Sequence, residues 1–296
     1  MDPFTEQLRK ACTEGGVIPI PPRVIIRVSG SDAFRYLNGQ LTRDLGRFNG
    51  SEALHACLLN PKGRLCASLL VHREGEDWIL EADGVLGDAL VERLERYIVA
   101  DDVTLAVEPD PGGWHLFGDL AMTTPWKDLS GKRCRRLGVP GMDLEASKGN
   151  SRHALPPVLD PLVGEILRIE RGIPSWGNEL STDTLPPEAG LDRTHIDYDR
   201  GCYPGQEVIS RLKSIGRVNR SLHVVSSSQG SVLLKGMVVE SGAGVAGELT
   251  SVAGLPASGL HVALSYLNRG AEPPFFALDP LTGAKSAISI LQRSGS

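Results

Sequence analysis

No Cys-x-x-Cys pair occurs anywhere in the 296-residue chain. The five cysteines, Cys12, Cys57, Cys66, Cys134 and Cys202, are scattered. A structural zinc site or a four-thiolate cluster site is therefore not expected within one chain, and no metal ligand set is proposed. An odd cysteine count without a signal peptide points to a reducing compartment, so a cytoplasmic location is expected. No apolar run approaches the roughly 20 residues that span a bilayer, so no membrane association is expected. Positive charge is scarce: 31 Lys and Arg stand against 36 Asp and Glu, a net charge of -5. That balance argues against a general nucleic-acid binder, which is normally basic. Internal repeats and low-complexity tracts are also missing. What remains, with 41% hydrophobic and 23% charged residues, is a soluble globular composition, long enough for two or three domains.

The pattern along the chain is α+β, then β. Residues 4–13 read as a short helix. Val24–Val28 is β-branched and closed by Ser29-Gly30, a strand signature. Ser31 or Asp32 can cap a helix to about Leu41, with Phe34, Leu37 and Leu41 on one face. Ala53–Leu59, Arg64–His72 and Trp78–Glu81 read as strands, with turns at 60–63 and 73–76. Val85–Val99 is an amphipathic helix and Val103–Val107 a further strand. This order suggests ferredoxin-like modules. Residues 108–114 and 138–161 are rich in Pro and Gly and read as loops. Leu162–Arg171 is a helix ended by Gly172. From about Val218 short β-prone runs recur at 222–226, 231–239, 244–252, 259–267, 274–278 and 284–291, the spacing of a small antiparallel barrel. The division expected is 1–218 for the α+β region and 219–296 for the barrel.

The most punctuated stretch is Arg200-Gly201-Cys202-Tyr203-Pro204-Gly205-Gln206-Glu207. Pro204 suits the first position of a helix carrying Val208, Ile209 and Leu212. Cys202 then sits just outside a helix N-terminus, where unpaired N–H groups favour a thiolate. A small residue beside a tight turn is the competing interpretation. Two basic clusters, Lys132-Arg133 with Arg135-Arg136 and Arg211 through Arg220, read as solvated faces, or for the second as an attractor of anions.

Gly201-Cys202-Tyr203-x-Gly205-Gln206-Glu207 resembles the signature of the YgfZ/Iba57 family of folate-binding proteins. These act in iron–sulfur cluster assembly or repair and are related to the glycine-cleavage aminomethyltransferase (T-protein). Arg200 stands where the signature usually has lysine, and the two cations are not equivalent donors. Further segments agree in order: Gly30–Ala33, Tyr36–Thr42, Leu59–Arg64 and Leu167–Pro174, so the similarity runs from about residue 23 to about 220. The resemblance implies a three-part cloverleaf. Two interleaved ferredoxin-like α/β domains and a C-terminal antiparallel β-barrel would surround a central cavity. It also implies tetrahydrofolate, or a one-carbon derivative, as cofactor, and iron–sulfur client enzymes or assembly proteins as partners.

On that resemblance Glu170 is the candidate to accept the adjacent N–H donors of a pterin, and Trp176 a ring to stack on it. Asn38, Gln40 and Asn60 offer amides to the pterin or serve as turn formers. Lys62 and Arg64 suit the benzoyl-glutamate carboxylates or form an ordinary hairpin tip. Cys202 is the reactive or partner-facing thiol at the cavity mouth, set in the loop of Arg200, Gly201, Tyr203, Gly205, Gln206 and Glu207. Asp197 and Asp199 flank Tyr198 and are read first as solvated. A Cys202–His195 nucleophile pair lacks an orienting third residue. The enzyme relatives carry an aspartate pair after the glycine turn, but Gly63–Val71 contains no carboxylate, which disfavours aminomethyl transfer. The function expected is a tetrahydrofolate-binding protein assisting iron–sulfur assembly or repair. A folate-dependent one-carbon transferase or demethylase is the alternative.

Overall fold

The computed structural model describes residues 2–123, 131–146, 155–214, 216–227, 231–255 and 259–291. After helix α1 (Pro3–Thr13) and strand β1 (Gly16–Pro19), the chain builds a first sheet from β2 (Arg23–Ser29), β3 (Leu54–Leu59), β4 (Leu65–Glu74), β5 (Asp77–Asp83) and β6 (Thr104–Glu108). Its order is β3-β4-β5-β2-β6, antiparallel throughout. Helices α2 (Ala33–Gln40) and α3 (Gly87–Glu95) close one face over a core that includes Ile26, Val28, Leu58, Leu69 and Leu80. Leu86, Leu90 and Leu94 supply the buried stripe of the second helix region, as its spacing requires. The helix proper is shorter than its amphipathic pattern, because Gly87 at φ +26 separates it from a 3-10 turn at Gly84–Leu86. Asp32 occupies the N-cap position of α2 without capping it. Its carboxylate accepts instead from the Asp102 N–H at 2.8 Å.

The second sheet is interleaved in sequence. Strand β1 precedes the whole first sheet, yet pairs with β7 (Gly113–Phe117), which pairs with β9 (Gly141–Glu145) and then β8 (Lys132–Cys134). Part of this sheet lies in the stretches read as loops at 108–114 and 138–161; residues 147–154 of the latter lie outside the described residues. These strands are short and carry buried charge, so no alternation marks them. Asp143 of β9 is buried. It accepts from Arg136 Nε at 2.8 and 2.9 Å and lies 2.8 Å from His115 Nδ1. The same guanidinium reaches Glu81 of β5 at 2.8 Å, which also takes Arg23 and Lys132. This paired network ties the two sheets together, and such burial is tolerable only because every charge has a partner.

Helix α4 (Pro161–Glu170) is capped by Asp160, with Pro161 at its first position. Helix α5 (Gln206–Ser214) leads into a closed antiparallel barrel of β10 (Arg220–Ser227), β11 (Val238–Ser241), β12 (Gly244–Leu255), β13 (Leu260–Asn268), β14 (Phe275–Leu278) and β15 (Lys285–Ile290). The barrel is docked through Glu179, a fully buried carboxylate. It accepts from Thr250 and Ser251 at 2.7 and 2.6 Å and pairs with Arg168 at 3.2 Å.

Candidate functional site

The two sheets and the segments around α4 and 172–195 line a central cavity of about 1060 Å³. Helix α4 presents Gly164, Glu165, Arg168 and Arg171 to it, while Val163, Ile166, Leu167 and Ile169 are buried in the cores. Trp176 follows on the next loop, lines the cavity and packs against both neighbouring cores. The remaining wall is rich in arginine, with Arg43, Arg47, Arg135, Arg136 and Arg193 among its members. Most of these are committed: Arg43 to Asp197 at 3.0 Å, Arg47 to Asp199 at 2.9 Å, and Arg135 to Glu52 at 2.8 Å. Arg171 and Arg193 have no ion-pair partner among the described residues.

Two histidines meet on this wall. His55 of β3 and His195 stand with ring centroids 5.0 Å apart. Burial, then the charges of Arg136 and Arg43, pulls His55 down to about 4. Burial, then His55 and Arg43, holds His195 well below its ordinary value. Both are neutral at physiological pH. His195 turns its Nδ1 to the Thr194 hydroxyl at 2.7 Å, whereas His55 Nε2 is buried with no hydrogen-bond partner among the described residues. An unsatisfied buried acceptor or donor in a cavity wall is a place where a ligand group can bind at low cost.

Of the residues put forward to bind folate, Trp176 and no other lines the cavity, while His195, weighed as a partner of Cys202, stands on its wall. Glu170 sits seven residues after Val163 and three after Leu167, on the α4 face that packs with Ala11 of α1. It is half-buried, and that burial raises its carboxyl despite Arg171 beside it. Asn38 accepts from the Leu45 N–H at 2.8 Å, and Asn60 from those of Lys62 and Arg64 at 2.9 and 3.1 Å, both as turn formers. Gln40 is buried and accepts from Arg93 at 3.2 Å. Lys62 is exposed at the hairpin tip, and Arg64 donates to the Asp183 carbonyl.

The thiol loop is seated on that hairpin. Gly205 takes φ +82, and a Cβ there would stand 2.6 Å from the Asn60 carbonyl oxygen. Only glycine permits such an approach in the left-handed region. For the same reason α5 begins at Gln206, two residues later than Pro204 suggests. Arg200 secures the other side. Its guanidinium donates to the Leu41 carbonyl at 2.8 Å and to those of Asn38 and Arg43, and lies over the Tyr203 ring. These carbonyls lie in and just beyond the last turn of α2, where backbone acceptors go unpaired. A lysine ammonium cannot span them in the same way. Tyr203 is buried, Gln206 reaches the Arg200 carbonyl at 3.4 Å, and Glu207 is exposed. Cys202, at the tip of this anchored loop, is exposed and free.

Sequence reasoning missed the histidine pair and most of the arginine wall, because the lining comes from segments scattered between residues 18 and 195. The signal that was available is the polar stripe of α4, opposite the predicted face of Leu162, Ile166 and Ile169. One buried cluster, His115, Cys134 and Asp143, brings its donor atoms within 4.8 Å of one another. Arg136 and Lys132 already neutralise Asp143, so an added cation would meet two positive charges there.

These features define an aminomethyltransferase-type cloverleaf. The aminomethyltransferase T of the Bartonella henselae glycine cleavage system superposes with a TM-score of 0.79, at 19% identity, over 98% of this chain and 88% of that one. No family model matches the sequence. A Phaeosphaeria nodorum protein named as a mitochondrial iron–sulfur cluster assembly factor, an IBA57 homolog, is 28% identical over 239 residues, covering 74% of this chain and 57% of that protein. The tRNA-modifying protein YgfZ of Klebsiella pneumoniae is 27% identical, covering 69% of each. The chain is thus similar in sequence to IBA57 homologs, to YgfZ and to an aminomethyltransferase, and spans just over half the length of the fungal proteins it matches. Those fungal proteins are named as mitochondrial, which leaves the cytoplasmic expectation unsupported by the comparison. No helix among the described residues is long and apolar enough to cross a membrane.

Proposed function

We propose that the chain binds tetrahydrofolate, or a one-carbon derivative of it, in the central cavity, and that it assists iron–sulfur cluster assembly or repair through the exposed thiol of Cys202. The observation that carries this reading is the cavity wall: about 1060 Å³ lined by Trp176 and a ring of arginines, in a chain whose net charge is -5. A flat heteroaromatic ring suits Trp176. The ligand's carboxylates suit Arg171 and Arg193, the two lining arginines without acidic partners. His55 Nε2 offers the unsatisfied polar contact.

Cys202 works outside this wall. A single thiolate cannot hold a cluster, so the cluster is cargo shared with a partner's ligands, and the anchored loop presents the thiol to that partner. The cavity wall favours the transferase alternative less. Ser68, Leu69 and Leu70 are the β4 residues that line the cavity after the glycine turn, with no carboxylate from 63 to 71. Asp197 and Asp199 are held in ion pairs. In cells lacking the chain, a Cys202→Ser copy is expected to leave iron–sulfur enzyme activity at the deletion level, while Cys12→Ser, at the other exposed cysteine, restores it. Full restoration by Cys202→Ser would remove the thiol from the proposal.

A further inference from the structure

A second groove, of about 960 Å³, runs between α5, the linker after it and the barrel. Five cations line it, Arg193, Lys213, Arg217, Arg220 and Arg269, against one carboxylate, Asp192. This is the reverse of the chain's overall balance. Two of the five are occupied. Arg220 pairs with Glu188 at 3.1 Å and stacks on Tyr266, and the Lys213 ammonium lies 3.5 Å from the Tyr198 ring centroid. Arg193, Arg217 and Arg269 are exposed and have no ion-pair partner among the described residues. Like charges gathered in a concave wall focus the potential there and draw in anions.

The groove is joined to the central cavity through one residue. The segment 187–196 borders both spaces. Ala189, Leu191, Thr194 and His195 face the cavity, and Pro187, Asp192 and Ile196 face the groove. Arg193 alone in that segment lines the two. The groove's cations are contributed singly by separate segments, α5, the linker, β10 and the turn after β13. That distribution suits a flexible chain bearing one negative charge per unit better than a compact phosphate, which needs donors converging on one point.

We propose that this groove is a second anion site, and that it takes the oligo-γ-glutamate tail of a folate whose ring system occupies the central cavity, led across the rim by Arg193. This rests on the folate assignment of the cavity. Each added carboxylate would gain a weak, screened interaction, and four together amount to about tenfold in affinity at low salt.

The experiment compares tetrahydrofolate monoglutamate with the pentaglutamate by calorimetry, on the full chain and on Arg217→Glu/Arg269→Glu, whose two sites lie outside the cavity wall. The result expected is a pentaglutamate bound about tenfold more tightly by the wild type, with the advantage shrinking as salt rises. In the double variant that advantage should vanish while monoglutamate affinity stays unchanged. Equal affinity for the two ligands in the wild type would overturn the groove's role and leave the folate cavity standing. A tail advantage that survives the charge reversal would place the tail elsewhere and also overturn it. If neither ligand binds the folded wild type, the cavity assignment and the groove fall together.

Discussion

Replacing Gly205 by alanine tests whether the thiol loop is fixed in place by backbone contact. Two costs can be separated. The first is conformational: Gly205 stands at φ +82, and an L-residue in the left-handed region loses about 1–2 kcal/mol. The second is collision. The added Cβ would meet the Asn60 carbonyl oxygen at 2.6 Å, Gly63 Cα at 2.8 Å and Gly63 N at 2.9 Å. All three are backbone atoms of one turn, closed by the Gly63 N–H to Asn60 carbonyl bond at 2.9 Å and braced by the Asn60 side chain. Nothing flexible can yield, so the loop must lift from the hairpin, at an additional cost of about 1–3 kcal/mol. Gly50→Ala is the matched control: φ is +77 and nothing lies within 4 Å of its Cβ, so it carries the conformational cost alone. Urea unfolding of the two variants should show Gly205→Ala losing roughly twice as much stability as Gly50→Ala or more. Equal losses would refute the seating of the loop on the Asn60–Gly63 turn.

Arg200→Ala should cost about 2–3 kcal/mol in the same assay, because charge-assisted bonds to three carbonyls are lost. Arg200→Lys should recover only part of it, and full recovery would show that the spread of the guanidinium is immaterial. Acid should weaken the fold through His55. The folded group titrates at about 4 and the unfolded one near 6.5, so between these values the unfolded chain holds the extra proton. The associated stability is complete above about pH 6.5 and falls by about 3 kcal/mol as the pH drops towards 4. His55→Gln should flatten the fall between pH 6.5 and 4.5, and an unchanged slope would contradict the burial of a neutral imidazole there.

The first sheet and the barrel were legible because their strands are long enough to show β-branched runs between turn residues, as Val24–Val28 and the runs beyond 222 do. The second sheet was not. Strands β1 and β8 have four and three residues, and β9 contains Asp143, whose burial makes sense only beside Arg136, Lys132 and His115. The thiol loop was legible as a motif, and its two glycines pointed to a fixed shape. That Gly205 meets Asn60, and that Arg200 reaches back to α2, are contacts across some 140 to 160 residues of sequence, which no local pattern encodes. The cavity wall escaped for the same reason. His55 and His195 lie 140 residues apart in sequence and become a pair only in the folded chain.

The central claim is a folate site walled by Trp176 and arginines, separate from the task of the thiol. The measurement that tests it most directly is calorimetric titration of tetrahydrofolate into the wild type, Trp176→Ala and Cys202→Ala, each checked for folding by circular dichroism. The account predicts binding in about the micromolar range by the wild type and by Cys202→Ala, and at least about tenfold weaker binding by Trp176→Ala. No binding by the folded wild type, or undiminished binding by Trp176→Ala, would contradict it.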